Sequence, residues 1–430
     1  MSKPGKNIVK INIIILFILG SLTFWSLRIY YWKTTFELPF ADMMMFEHIS
    51  HNIVNNYDYS WTSFWKTFNP PTLVSIRAFE LWLFGESILN WQIFQTFLMF
   101  VSLLFLIYEI YKKTKIYFYS VFLLFIVSLS KSSIFWSLKI SRESLAETLL
   151  YLSIAITFYC FRKKNYYPFL LAGLIYIITI FNRQNFILII PIFMLLTIFK
   201  DIYNNDLKIV INKDKLIKLL FYTFGLLIIW APWTIRSVIL YGHPVLLTTQ
   251  SPYGGFLWEL GEVNIIEKNG NIIKTDVMKL LREAPEKFKN DYEASTYANY
   301  ISKLWIKQNF LFYLKLSCKR FINITIKRDI YLTKVNRQIL FSSSTITSII
   351  NNLLIDKYLL LIITGFLGYI ILTIKWTVIS IIPLTIFLIT FSTAFVIGLP
   401  RMFEPFISLT IFGNIAFIKS HWNFLEREKS

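Results

Sequence analysis

Long runs of apolar residues alternate with short polar segments along most of this chain. One helical crossing of a bilayer needs about 20 apolar residues. Ten stretches approach that length: 8–29, 90–110, 116–131, 143–161, 167–181, 185–200, 216–238, 355–374, 377–397 and 404–419. The first run is too long for a signal-peptide core and lacks a small-residue cleavage site, so we expect it to stay as a helix. The pattern predicts an all-α polytopic membrane protein with about ten transmembrane helices.

Basic residues in the short connections predict the orientation of the chain. Lys and Arg are frequent at the N-terminus and in the segments 111–115, 162–164 and 200–218, which would all lie on one side of the membrane. Positive residues favour the cytoplasmic side. We therefore expect cytoplasmic N- and C-termini and two long outer segments, 30–89 and 239–345.

These segments divide the chain into three regions. Residues 1–240 would form an N-terminal transmembrane module that includes the outer loop 30–89. Residues 241–345 would form an outer-face loop, in which the amphipathic stretch 292–321 predicts helices on the membrane surface. Residues 346–430 would hold the C-terminal transmembrane helices and a short cytoplasmic tail.

Composition narrows the class of protein further. The chain of 430 residues is 55% hydrophobic, with a mean hydropathy of +0.54 and a net charge of +19. In a soluble protein this charge would suggest a nucleic-acid partner. Here it sits between apolar runs, so we assign it to orientation and lipid phosphates and expect no nucleic acid. Richness in Lys, Asn, Ile and Phe favours a bacterial inner (plasma) membrane, and the distant Cys160 and Cys318 are expected to be free thiols.

Asp42 is the first candidate for chemistry. Pro39 suits a helix start, and Phe46, Ile49 and Ile53 recur at helical spacing, so residues 40–55 are predicted to form a helix with Asp42 in its first turn. An acid in that position commonly offsets the helix dipole. A carboxylate at a membrane interface can also act as a general base. The local pattern alone leaves both interpretations open.

A second group of candidates follows the third apolar run. Lys139 and Arg142 lie in the short connection 131–143, which the orientation places outside, where basic residues are unusual. They would bind an anionic group there, or contact lipid headgroups. Glu143 and Glu147 follow at the start of the next span, and Arg183 separates two short runs. An ionisable residue at membrane depth suggests function, although Arg183 could extend to the interface if its connector lies there.

The early outer loop also raises the question of a metal. Glu47, His48 and His51 are close enough in sequence to share a helical face. A catalytic zinc usually has three protein ligands. An ordinary polar helix face explains the same pattern, so the metal stays an open alternative.

The order of several motifs resembles the GT-C glycosyltransferases, membrane enzymes that take sugars from polyprenyl-phosphate carriers. The motifs are "PFADMMMFEHISHNI", "NPPTLVSIRAFELWLFGES", "SRESLAETLLYLSIAITFY", "LLAGLIYIITIFNRQNFILIIPIF", "WAPWTIRSVILYGHPVLLTTQSPYGG" and "LPRMFEPFISLTIFGNIAF". The sequence is most similar to the branch of protein O-mannosyltransferases and lipid A aminoarabinose transferases. The resemblance covers most of the chain and implies a GT-C-like helical fold with outer-face loop helices.

The resemblance also implies roles for particular residues. Asp42 matches the catalytic acid of the first outer loop, although many members carry a second, adjacent acid where this chain has Met43. Arg401 matches a late arginine that would bind the donor phosphate, with Arg183, Lys139 and Arg142 as further candidates. Either Glu143 or Glu147 could match the family's acid before a span. A divalent cation stays open as a cofactor, because some members use one and others do not.

The implied partners are a polyprenyl-phosphate sugar donor, a lipid, glycan or protein acceptor, and membrane lipids. A flippase for lipid-linked saccharides is the main rival, and it would show internal repeats and ionisable groups near the bilayer midplane. A surface-polysaccharide polymerase would share the donor class. In a non-catalytic scaffold Asp42 would be dispensable.

Overall fold

The computed structural model describes residues 4–34, 42–201, 206–250, 261–267 and 269–326, and every structural statement below concerns these residues. The predicted spans 355–374, 377–397 and 404–419, the third region 346–430 and Arg401 lie outside them. The same holds for the Gly-rich stretch 251–256.

Thirteen α-helices and one 3-10 helix form most of the described structure. The helices are α1 (Pro4–Thr34), α2 (Asp42–Asn56), α3 (Pro71–Phe84), α4 (Ile88–Thr114), α5 (Tyr117–Leu129), α6 (Lys131–Ser137), α7 (Arg142–Arg162), α8 (Tyr167–Asn182), the 3-10 helix (Gln184–Leu188), α9 (Ile189–Ile198), α10 (Lys213–Tyr241), α11 (Val277–Lys287), α12 (Asp291–Gln308) and α13 (Phe310–Ile326). The expected mostly helical architecture is confirmed for this part of the chain.

Four of these helices are long and apolar enough to cross a membrane: Ile11–Lys33, Ile88–Thr114, Arg142–Arg162 and Lys213–Tyr241. The predicted spans 116–131, 167–181 and 185–200 correspond to the shorter apolar helices Ser120–Leu129, Tyr167–Asn182 and Gln184–Ile198. The break between the last two falls at Arg183, whose backbone is extended. The described residues therefore support an integral membrane protein, with four helices of spanning length.

The all-α prediction is wrong in one respect, because two antiparallel hairpins interrupt the helices. Strand β1 (Phe199–Asp201) pairs with β2 (Asp206–Ile209), and β3 (Val263–Ile266) pairs with β4 (Ile272–Thr275). In the second hairpin Val263 faces Thr275 and Ile266 faces Ile272. Its turn contains Asn269 and Gly270, and Gly270 has the positive φ (85°) that hairpin turns require.

The apolar core of the helical bundle is formed mainly by α4, α5, α7, α8 and α10. Helices α8 and α10 approach closely at Gly173 and Gly225. A Cβ at Gly173 would collide with the carbonyl of Tyr222, and one at Gly225 with the carbonyl of Leu170. Small residues allow this backbone contact, which helps helices to associate in lipid.

A second core lies beside the bundle, in what we call the loop layer, defined as residues 42–84 and 261–308. Buried residues of α2, α3, α11 and α12 pack together there, among them Phe46, Leu73, Leu280 and Ile301. The same cluster includes Trp91 of α4 and Leu145 of α7. The loop layer is therefore joined to the first turns of the bundle helices, where the candidate site residues lie.

Candidate functional site

Asp42 lies in the first turn of α2 (Asp42–Asn56), within the helix predicted over residues 40–55. The buried side chains of this helix are Met43, Met45, Phe46, Ile49 and Ser50, and Asp42 itself is partly buried. Met43 packs against Phe135 and Trp136 of α6. This contact fixes the start of α2, and with it Asp42, beside the connection between α6 and α7.

Arg142 contacts α2 through the side chain of Phe46. Its guanidinium is 5.1 Å from the ring centre of Phe46, which is one helical turn after Asp42. Arg142 Nη1 also donates to Gln250 Oε1 at 3.2 Å. This contact joins Arg142 to α2 one helical turn after Asp42.

The turn that carries Lys139 is held by side chains of α4. Gln92 Nε2 donates to the Leu138 carbonyl at 2.8 Å, and Trp91 Nε1 donates to the Lys139 carbonyl at 3.3 Å. Gln95 Nε2 donates to the carbonyls of Ser137 and Lys139. These bonds satisfy carbonyls that a helix C-terminus leaves without an intrahelical partner.

Lys139 is not in an exposed connection, in contrast to the expectation for residues 131–143. Most of that segment is the helix α6, and the Lys139 side chain is buried, with Nζ 5.6 Å from the ring centre of Phe135. Because the Lys139 side chain is buried, a contact with lipid headgroups is disfavoured and a role inside the candidate site is favoured.

Arg183 pairs with Glu143, with Arg183 Nη2 at 2.8 Å from Glu143 Oε1. Both side chains are buried. The neighbouring Asn182 Nδ2 donates to the Arg142 carbonyl at 2.9 Å. The break between α8 and the 3-10 helix thus faces the first turn of α7, and one of the predicted phosphate-binding cations is held by a carboxylate.

Glu147 lies one turn deeper in α7 and has different neighbours. It accepts a hydrogen bond from the Tyr151 hydroxyl and attracts the charge of Arg28. Arg28, which sequence reasoning did not select, is buried in α1 and donates to Ser133 Oγ at 2.8 Å. Of the two acids left open by the sequence, Glu143 is the one in the first turn of α7, beside Arg142.

The structure does not bring Glu47, His48 and His51 together as metal ligands. Both oxygens of Glu47 accept hydrogen bonds from Arg77, at 2.8 Å from Nε and 2.6 Å from Nη2. His51 contacts Glu47 at 3.5 Å and Glu86 at 3.4 Å, whereas His48 is exposed. Among the described residues no group of three His, Cys, Asp or Glu side chains could hold a metal ion. The pairing of Glu47 with Arg77 accounts for the polar face of α2.

Arg77 links α2 to α3 and also contacts the buried Glu80. Burial lowers the pKa of Arg77, but its contacts with Glu47 and then Glu80 outweigh burial and raise that pKa above its ordinary value. Burial raises the pKa of Glu80, although Arg77 opposes the shift. This network orients α2 and therefore Asp42.

Sequence reasoning also missed Asp291, the buried first residue of α12. Asp291 Oδ2 accepts hydrogen bonds from the backbone N–H of Lys66 at 3.1 Å and of Thr67 at 2.9 Å, and from Thr249 Oγ1 at 2.9 Å. The Thr249 N–H donates to the Thr67 carbonyl at 3.1 Å. One carboxylate therefore connects α12 to the loop after α2 and to the segment that carries Gln250.

The segment 243–250 is also tied to α10. Trp230 Nε1 and Trp233 Nε1 each donate at 2.7 Å, to the carbonyls of Leu246 and Leu247 respectively. Gln184 Nε2 donates to Thr248 Oγ1. The segment that ends at Gln250, the partner of Arg142, is thus held by α10, by Gln184 and by Asp291.

Both cysteines are free thiols, as expected: Cys160 is buried in α7 and Cys318 is exposed in α13.

Comparisons with known proteins bear on the fold. No protein-family model and no curated protein matches the sequence. Solved structures of an archaeal oligosaccharyltransferase from Archaeoglobus fulgidus do match the structure. AglB in complex with an inhibitory peptide and a dolichol-phosphate aligns with a TM-score of 0.53 at 11% identity, over 98% of this chain and 51% of that chain. The apo form aligns with a TM-score of 0.54 at 10% identity, over 97% and 51%.

The chain therefore shares the fold of the matched part of this oligosaccharyltransferase. A third structure, the same enzyme tethered to an acceptor peptide containing the NVT sequon, gives a TM-score of 0.50 at 11% identity over 97% of this chain. This chain spans about half the length of the matched structures, 50–51%. These matches support the expected fold, while the resemblance to the GT-C glycosyltransferases and to their mannosyl- and aminoarabinosyltransferase branch stays a prediction.

Proposed function

We propose that this chain is an integral membrane glycosyltransferase that moves a sugar from a polyprenyl-phosphate donor to an acceptor on the outer face of the membrane. The observation that carries the proposal is the position of Asp42 in the first turn of α2, one turn before the Phe46 ring that Arg142 contacts, in a chain that shares the fold of an oligosaccharyltransferase. The matched oligosaccharyltransferase was solved with a dolichol-phosphate, which supports a donor of this chemical class. The acceptor would be a lipid, a glycan or a protein.

In the proposed reaction Asp42 acts as a general base. It takes the proton from an acceptor hydroxyl or amine as the acceptor atom attacks the anomeric carbon of the sugar. The bond between that carbon and the phosphate oxygen breaks, and the phosphate leaves with the electron pair. Attack from the face opposite the phosphate inverts the anomeric centre.

Cationic groups would stabilise the charge that develops on the leaving phosphate. Lys139 contacts Phe135, which packs on Met43, and Arg142 contacts Phe46. Arg401 keeps its predicted role from outside the described residues. Arg183 would act mainly by holding Glu143 next to Arg142. The proposed reaction includes no step at a divalent cation. Among the described residues Glu47, His48 and His51 do not form a group of metal ligands, because Glu47 is bonded to Arg77.

The test is sugar transfer in membranes that contain the protein, with a panel of polyprenyl-phosphate sugars. Asp42→Asn should lower the rate by about 10²–10⁴-fold, the usual contribution of a general base. Asp58→Asn is the matched control, since Asp58 lies in the same segment and only accepts a local bond from Ser60. Equal amounts of each variant are confirmed by immunoblot.

Each outcome has a distinct meaning. Full activity of Asp42→Asn would remove Asp42 from the base role while leaving the enzyme class intact. Movement of an unaltered lipid-linked saccharide across the membrane, without consumption of any donor, would favour the flippase alternative.

A further inference from the structure

The N-terminus of α7 lacks the side-chain cap that its sequence offers. Ser141 occupies the N-cap position with extended backbone, yet its side chain makes no capping hydrogen bond. A serine there normally accepts a bond from an N–H of the first turn. The first four N–H groups of any helix have no intrahelical partner, and they attract anions.

Two buried hydroxyls lie at this helix end without a hydrogen-bond partner among the described residues. They are Ser141 Oγ and Ser144 Oγ, and the two residues are 3% and 0% exposed. The Cα–Cβ bonds of a helix tilt toward its N-terminus, so Ser144, in the first turn, directs its side chain to the same end as Ser141. Buried hydroxyls are nearly always bonded in folded proteins, so these two neighbouring hydroxyls are available to bond a ligand at this helix end.

The charge around this helix end favours an anion. Arg142 is the first residue of the helix, and the buried Lys139 precedes it by three positions. Glu143 in the same turn opposes an anion, but Arg183 lies 2.8 Å from its carboxylate. The charged side chains in the turn before α7, in its first turn and in contact with that turn are the cations Lys139, Arg142 and Arg183 and the carboxylate Glu143.

We infer that the N-terminus of α7 is a phosphoryl-binding site, in which Ser141, Ser144 and the first-turn N–H groups donate to phosphoryl oxygens beside Lys139 and Arg142. A phosphoryl group offers several strong acceptor oxygens and negative charge, which matches hydroxyl, amide and cationic donors converging on one point. Given the proposed function, on which this part rests, the ligand is the phosphate of the polyprenyl donor.

The proposed phosphoryl site is also connected to the start of α2. Phe135 and Trp136, just before the Lys139 turn, pack on Met43, the neighbour of Asp42. The turn that carries Lys139 is therefore joined to the start of α2 through these side chains.

The experiment measures binding of undecaprenyl phosphate, without any sugar, to the full-length protein in phosphatidylcholine nanodiscs. Each hydroxyl donating to a charged oxygen contributes about tenfold in affinity, so Ser141→Ala with Ser144→Ala should weaken binding by about 100-fold. The thermal stability of the ligand-free protein should not fall, because neither hydroxyl has a partner to lose. Ser141→Thr keeps the hydroxyl and should retain most of the affinity.

Ser153→Ala is the matched control on the same helix, since Ser153 is buried and already bonded to Thr179 at 3.0 Å. It should bind undecaprenyl phosphate like the wild type. Inorganic phosphate and phosphatidylglycerol nanodiscs serve as competing arms. If either one displaces undecaprenyl phosphate from the wild type but does not bind the double serine variant, the phosphoryl site stands. Its ligand is then free phosphate or a lipid headgroup.

Wild-type affinity in the double serine variant would overturn the site, even if Asp42-dependent sugar transfer were observed. Conversely, a loss of binding in that variant together with no transfer from any donor would keep the site and reject the proposed reaction. The two proposals therefore fail separately.

Discussion

Asp291 shows how a single buried carboxylate can organise a site from a distance. It accepts bonds from the N–H groups of Lys66 and Thr67 and from the Thr249 hydroxyl, so it determines how two loops meet. Each of those donors is separated from Asp291 by 42 to 225 residues along the chain. No local pattern connects residues so far apart, which is why the sequence did not single out Asp291.

Removing this carboxylate should destabilise the protein strongly. Asp291→Ala leaves three donors without an acceptor, at about 1–3 kcal/mol for each buried group, whereas Asp291→Asn keeps one carbonyl oxygen and should cost less. Thermal unfolding of the purified protein measures the difference. Asp276→Ala is the control, because Asp276 only caps α11 through Lys279 N–H, a loss of about 1 kcal/mol. Equal losses for Asp291→Ala and Asp276→Ala would contradict the role of Asp291.

Glu80 gives a prediction about pH. Burial raises its pKa above the ordinary 4.5, so the folded protein binds this proton more tightly than the unfolded chain does. The contribution of Glu80 to stability is therefore greatest at low pH and declines as the pH rises through the raised pKa. The amide in Glu80→Gln stays neutral, so the melting temperature of this variant minus that of the wild type should increase from about pH 4.5 to about pH 7.5.

Glu286→Gln is the control for that experiment, because the Glu286 side chain on α11 is exposed. Its difference from the wild type should change little with pH. A Glu80→Gln difference that is equally flat would show that the Glu80 proton is not linked to folding.

At the scale of elements, the contact between α8 and α10 depends on the absence of two side chains. A Cβ at Gly173 or Gly225 would meet backbone atoms of the facing helix, which cannot rotate away. We expect Gly173→Ala to separate the helices and lower stability by about 1–3 kcal/mol, as overpacking generally does. Gly20→Ala is the control, since its nearest contact, at 2.8 Å, is the flexible end of the Leu124 side chain. Chemical denaturation in detergent compares the two, and a larger loss for Gly20→Ala would argue against this packing.

Some of these elements could be predicted from the sequence and others could not. The spacing of Phe46, Ile49 and Ile53 predicted α2 and its start near Asp42. The buried face of an amphipathic helix is visible in the sequence, because its apolar residues recur every three or four positions. The hairpin of β3 and β4 was missed although β-branched residues flank Asn269 and Gly270, a strong hairpin signal. The ion pair of Glu47 with Arg77 was not predictable, since the two residues lie on separate helices whose packing the pattern does not specify.

At the scale of the whole molecule, four helices in the described part of the chain have the length and composition of membrane spans. The orientation stays a prediction from basic residues. The two cysteines provide a direct test. Cys318 is exposed in the segment 239–345, predicted to be outside, and Cys160 is buried in a span. A membrane-impermeant maleimide should label intact cells at Cys318, and Cys318→Ser should abolish the labelling. Labelling of Cys318 only after cell lysis would place this segment in the cytoplasm.

The bonds of Asp291 also impose an order on biosynthesis. Thr67 leaves the ribosome 224 residues before its partner carboxylate. At about 5–20 residues per second, that interval is roughly 10 to 45 s. During this interval the segment after α2 has reached or crossed the membrane, but the Asp291 carboxylate that accepts hydrogen bonds from its N–H groups has not yet been synthesised. A ribosome stalled before residue 291 would therefore display a protease-sensitive early loop, which becomes resistant once translation passes that position.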